Sequence, residues 1–161
     1  MSIKNSILQT YNGLSVGESI ASSAVKTSID IQAKLIAVFS DTGKMAAYVA
    51  KFRPGTPVIC VTPNHVAARQ ASGLLSGVHT VVVDSLVDCN SLIEELNYEL
   101  LQTGMLRMGD QVVVIAGRMS GMKEQLQVVT LAEGKSHGHI LRRSDSGFYF
   151  NRDLLLNFGS A

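Results

Sequence analysis

A chain of 161 residues, 46% of them hydrophobic and with a mean hydropathy of +0.21, suits one compact domain and is too apolar to stay unfolded. A net charge of +1 excludes a global field that gathers nucleic acid or anionic membrane, and no Trp with only 6% aromatic residues leaves no platform for stacking bases. Cys60 and Cys89 match no metal spacing, no apolar run reaches the ~20 residues that span a bilayer, and the N-terminus lacks a secretion-signal core, so the expected setting is a reducing cytoplasm.

Residues 1–14 are polar and unpatterned and read as a tether. Ser15, with Glu18 three positions later, fits a capping box, and Ile20, Ala21, Ala24 and Val25 then share one helical face. Ala33–Ser40 (AKLIAVFS) is apolar on both faces, as a central parallel strand covered on both sides would be. From Gly43 the period changes. Met45, Val49 and Phe52, with Ala46 and Ala50 beside them, mark an amphipathic helix stopped by Pro54-Gly55. Pro57–Pro63 (PVICVTP) is a second buried strand, after which Thr62 is expected to cap a helix holding Pro63 in its first turn and ending near Gly73. Val78–Asp84 is the third strand. Leu92, Ile93, Leu96 and Leu100 form the stripe of a longer helix ended by Gly104, and Glu94, Glu95 and Glu99 read as its wet face. Gln111–Gly117 and Gln125–Ala132 are strands four and five.

Only a short connection separates the last two strands. A parallel crossover needs a dozen residues or more, so the fifth strand should run antiparallel to the fourth. The alternation predicts an α/β three-layer sandwich over residues 15–132. Its five-stranded, mostly parallel sheet takes the order 3-2-1-4-5, strand five antiparallel, with helices on both faces. Residues 133–161 form a basic polar tail, including Arg142-Arg143-Ser144, and the tail's His137-Gly138-His139 reads as solvated rather than as a metal site.

In this order the winding reverses between strands one and four, which is where open α/β sheets hold ligands. Two loops flank that crevice. Ser40, Asp41, Thr42, Gly43 and Lys44 follow strand one, and Gly117, Arg118 and Gly121 follow strand four. A helix N-terminus, two hydroxyls, a glycine and two cations could cradle a phosphate. The same Ser, Asp and Thr could equally be plain caps, and Asp41 brings a negative charge into the cradle. A P-loop is excluded: Val38 stands where its first Gly belongs, and Met45 where Ser or Thr must follow Lys44. No carboxylate pair or nucleophile–base set can be assigned, so no catalytic residue is named.

The run from Glu18 to Gln70 resembles the start of the C-terminal domain of pyruvate kinase. There an Ala/Ser-rich helix leads to a strand, a Ser/Thr-x-Ser/Thr-Gly loop, and a helix ending in Arg-Pro, here Arg53-Pro54. A Pro-Val-Ile-x-Val-Thr-x-Asn strand follows, here Pro57–Asn64, and then Ala68-Arg69-Gln70. GVHTVVV and GDQVVVIAG stand where that family has its third and fourth strands, and the resemblance covers residues 18–132. It implies a parent enzyme of glycolysis that moves phosphate from phosphoenolpyruvate to ADP in a separate barrel, with magnesium and potassium. No counterpart of that barrel lies in this chain, so the chain alone is expected to be inactive and its own domain to need no cofactor.

The resemblance further implies a regulatory domain that binds an anionic or sugar-phosphate effector through Ser40, Thr42, Gly43, Gly117 and Gly121. It also implies a homo-oligomer joined through the edge of strand five, while the near-zero net charge leads to the expectation of no nucleic acid or membrane partner. Met45 replaces the loop's last hydroxyl. The Trp and Arg that hold a second phosphate in bisphosphate-regulated members have no counterpart, since the chain has no Trp and residues 84–100 contain no Arg. The alternatives are a stand-alone α/β enzyme acting on a phosphorylated metabolite and a pure dimerisation module.

Overall fold

The five apolar runs become the five strands of one sheet in a computed structural model that describes residues 13–87, 89–117 and 124–131. In chain order the elements are α1 (Val16–Asp30), β1 (Leu35–Phe39), α2 (Lys44–Lys51), β2 (Val58–Thr62), α3 (His65–Leu74), β3 (Val78–Val82), α4 (Cys89–Gln102), β4 (Gln111–Ala116) and β5 (Gln125–Thr130). The sheet order is β3-β2-β1-β4-β5, with β1 parallel to both β2 and β4, and β5 antiparallel to β4, as the spacing predicts.

Every residue of β1 is buried, because the sheet is covered on both sides. Leu35, Ala37 and Phe39 face one core, packed with Ile93, Leu96 and Leu100 of α4. Ile36 and Val38 face the other, packed with Ala21, Ala24 and Val25 of α1, Met45, Ala46 and Val49 of α2, and Ala71 of α3. Among the described residues three helices thus cover one face and α4 the other. Small residues on α1 let that helix lie close to its neighbours. Burial pushes the thiol of Cys60, on β2, up to about 12, and both cysteines are buried and in no disulfide.

The α1 capping box forms reciprocally. The Glu18 N–H donates to Ser15 Oγ at 3.2 Å, and the Ser15 N–H donates to Glu18 Oε2 at 3.1 Å. The cap of α3 differs from expectation. Asn64, not Thr62, holds that helix, with Oδ1 accepting from Val66 N at 2.9 Å and Ala67 N at 3.2 Å. Pro63 therefore precedes the cap instead of entering the first turn. Thr62 stays in β2, fully buried, where Oγ1 donates to the Asp41 carbonyl at 3.3 Å and accepts from Asn64 N at 3.2 Å. Its hydroxyl is thus engaged in tying the β1 and β2 loops together. Helix α2 stops at Lys51, before Pro54-Gly55, with Arg53 at a left-handed φ of 47°. Gly104, at φ 74°, turns the chain out of α4, and Met105 and Leu106 N–H groups close on the Leu100 carbonyl.

The acidic side of α4 is less wet than expected. Glu95 and Glu99 are half-buried, and burial, reinforced by Glu99, raises the Glu95 carboxyl above its usual range. The tail from 133 to 161, most of the N-terminal tether, and the loop residues Arg118 and Gly121 lie outside the described residues.

Candidate functional site

Pairing Phe39 with Ala116 brings the carboxyl ends of β1 and β4 side by side, so the two loops anticipated from sequence leave the sheet together. Gly117 N–H donates to the Phe39 carbonyl at 2.7 Å. A Cβ at Gly117 would lie 3.1 Å from that carbonyl oxygen and 3.4 Å from Met45 Cβ. Glycine is therefore what lets β4 leave the sheet flush against β1 and α2.

Above this junction lies a pocket of about 250 Å³. Ser40, Thr42 and Gly117 form its base, Lys44, Met45 and Tyr48 of α2 one wall, and Ser15, Val16 and Gly17 at the start of α1 another. Glu124, just before β5, closes the rim. Two helices, α1 and α2, therefore open on the same concavity at their positive ends. They approach closely because Gly17 has no side chain: a Cβ there would stand 3.0 Å from Tyr48 Cε2 and 3.2 Å from Glu124 Oε1.

The loop after β1 is organised by hydrogen bonds of its own. Ser40 is only 4% exposed, and its Oγ accepts the Gly43 N–H at 3.1 Å. Gly43, at φ 73°, is the N-cap of α2 and lends it no side-chain hydrogen bond. Thr42 and Lys44 are exposed, and Lys44 N–H reaches Thr42 Oγ1 only at 3.4 Å. Lys44 Nζ sits 5.6 Å from the Tyr48 ring centroid, a cation–π distance that holds the ammonium on the pocket wall.

Of the anticipated residues, Ser40, Thr42, Lys44 and Gly117 line this pocket. Gly43 shapes the turn behind it. Asp41 lies outside the lining, and its backbone carbonyl is taken by Thr62. Sequence reasoning missed the α1 wall, Tyr48 and Glu124. Tyr48 could have been found one turn after Lys44 on the same helix. Nothing in the sequence places residue 17 or residue 124 beside it.

Among the described residues the charges around the pocket are few. Lys44 and Glu124 lie on its lining, and among the described residues neither is in an ion pair. Outside the lining, Lys51 Nζ meets Glu18 Oε1 at 2.9 Å and ties α2 to α1. The Lys51 ammonium and the Ser15 backbone N–H hold the Glu18 carboxyl down at about 2. Among the described residues no cluster of His, Cys, Asp and Glu could hold a metal ion, and no helix is long and apolar enough to cross a membrane.

The family model for the pyruvate kinase alpha/beta domain matches residues 18–130. The chain is 32% identical to the pyruvate kinase of Dictyostelium discoideum over 134 residues, which cover 78% of this chain and 25% of that protein. It is 36% identical to the pyruvate kinase of Clostridium acetobutylicum over 102 residues, 62% of this chain and 21% of the other. Among solved structures, a pyruvate kinase from Cryptosporidium parvum superposes with a TM-score of 0.68 at 27% identity, covering 74% of this chain and 23% of that one. The chain thus spans about a quarter of the length of the curated relatives it matches.

Proposed function

Because the chain belongs to the pyruvate kinase family through its alpha/beta domain, we propose that it is a regulatory domain that takes an anionic effector, of the sugar-phosphate class, in the pocket between the loops after β1 and β4. One observation carries the reading: at the crevice where the sheet's winding reverses, Thr42 and Lys44 stand exposed beside the N-terminus of α2, in a turn already braced by Ser40. A ligand phosphate there meets a hydroxyl, an ammonium and the positive end of a helix, with little ordering left to do.

The second part of the role is subunit contact, and phosphotransfer in glycolysis belongs to a protein in which a catalytic barrel accompanies this domain in the cytoplasm. Strand β5 lies at the sheet edge, with Val128 41% exposed. An open edge of this kind pairs readily with a second copy.

The effector site is tested by thermal melting of the 161-residue chain with inorganic phosphate and with glucose 6-phosphate. Preferential binding to the folded state raises the melting temperature. Replacing Thr42 by Ala removes a donor worth about 1–3 kcal/mol against a desolvated ligand oxygen and should shrink the shift. Equal shifts for wild type and Thr42→Ala, or none for either, would overturn the site. The same chain incubated with phosphoenolpyruvate, ADP and magnesium should show no turnover, and saturable turnover would favour a stand-alone enzyme instead.

A further inference from the structure

We infer that Glu124 sets the ligand class of this pocket, selecting a small phosphomonoester that also carries an ammonium group, such as an amino-sugar phosphate, over a purely anionic ligand. The inference rests on the effector reading above and sharpens it.

The pocket is divided electrically. At one side Lys44 leans over Tyr48 beside the start of α2. At the other, Glu124 Oε1 stands close to Gly17 at the start of α1, where a Cβ on that glycine would come within 3.2 Å of it. The Tyr48 ring touches both neighbourhoods, since the same Cβ would lie 3.0 Å from Tyr48 Cε2. Among the described residues the lining thus carries one positive and one negative side chain, Lys44 and Glu124, with no ion pair between them.

A ligand that is only anionic gains at Lys44 and loses at Glu124, because like charges in a partly enclosed site repel. Met45 does not relieve this, since it adds to the wall beside Lys44 a thioether that donates no hydrogen bond. A second phosphate lying toward Glu124 would meet its carboxylate. An ammonium at that position pairs with the carboxylate instead. At about 250 Å³ the pocket is at or below the lower end of the usual range for small-molecule sites, so it suits a compact monophosphate. The carboxylate therefore acts by repulsion against one ligand class as much as by attraction toward another.

Glucosamine 6-phosphate and glucose 6-phosphate differ only in an ammonium for a hydroxyl, so they isolate this interaction. Calorimetric titration of the 161-residue chain, at a pH just below neutral where the amine is protonated, should give about fivefold tighter binding for the amino sugar. In Glu124→Gln the preference should vanish, chiefly because glucose 6-phosphate binds more tightly. Equal affinities in wild type, or a preference unchanged in Glu124→Gln, would overturn the role of Glu124 while leaving the effector site standing. Binding of neither sugar phosphate would overturn both.

Discussion

Gly117→Ala puts the smallest possible side chain at the junction of the two loops and measures how tightly that junction is built. The new Cβ would meet the Phe39 carbonyl oxygen at 3.1 Å, Met45 Cβ at 3.4 Å and Ser40 Cβ at 3.6 Å. The first contact is the severe one. Phe39 lies in the central strand and its carbonyl already accepts the Gly117 N–H at 2.7 Å, so neither partner can retreat without lengthening that bond. Overpacking of this kind costs about 1–3 kcal/mol. Alanine also narrows the unfolded ensemble, which returns about 0.4–1 kcal/mol. The net loss expected is centred on about 1.3 kcal/mol, or a fall of about 3–5 °C in melting temperature for a domain of this size. Gly73→Ala is the control. Gly73 lies in α3 with open space where its Cβ would go, so that variant should gain about 0.5–1 kcal/mol from helix propensity. Thermal and urea unfolding of both variants decide the matter. If Gly117→Ala melts at or above wild type, the packing argument for the pocket's base is wrong.

Two further predictions concern contacts between elements. Glu18 is lowered in the folded state from 4.5 to about 2, so its contribution is complete above about pH 4.5 and lost as the pH falls toward about 2. The melting-temperature gap between wild type and Glu18→Gln should therefore close across that range, and a gap that stays constant would show that the carboxylate is not held by Lys51 and Ser15. At the sheet edge, the Leu131 N–H bonds inward to the Asp110 carbonyl, so by alternation Val128 turns its N–H to the open side. Val128→Pro should leave the ladder to β4 intact and convert a dimer to a monomer in light scattering; a wild type already monomeric at high concentration removes the edge-pairing proposal.

The order of the sheet was legible because one short connection between two apolar runs forbids a parallel crossover, and that single constraint places β5. The α1 capping box was equally local, with both partners within four residues. The α3 cap was misread because Thr62 and Asn64 both qualify by type. Only the tertiary neighbour of Thr62, the Asp41 carbonyl from another strand's loop, decides between them. Ser40 shows the same limit. Its residue type suits a ligand donor or a turn brace, and its burial beneath Gly43 is what gives it a structural bond. The far wall of the pocket was hidden for a stronger reason. Gly17, Tyr48 and Glu124 meet from three separate elements, and Glu124 before an alternating strand looks like any solvated carboxylate.

Strand β1 has a partner on each flank, and the two are made at very different times. Pro57–Thr62 follows it closely, so the pairing of Ile36 with Val58 can form soon after β1 is made. Leu35 must wait for Val112. Until the ribosome has delivered Gln111–Ala116, the most apolar strand of the protein shows one full row of unpaired amides and carbonyls, and half of its core side lacks Val113 and Ile115. The hazard of the nascent chain is therefore concentrated in the interval between the emergence of β3 and that of β4, when a neighbouring chain on the same polysome offers the same unsatisfied edge.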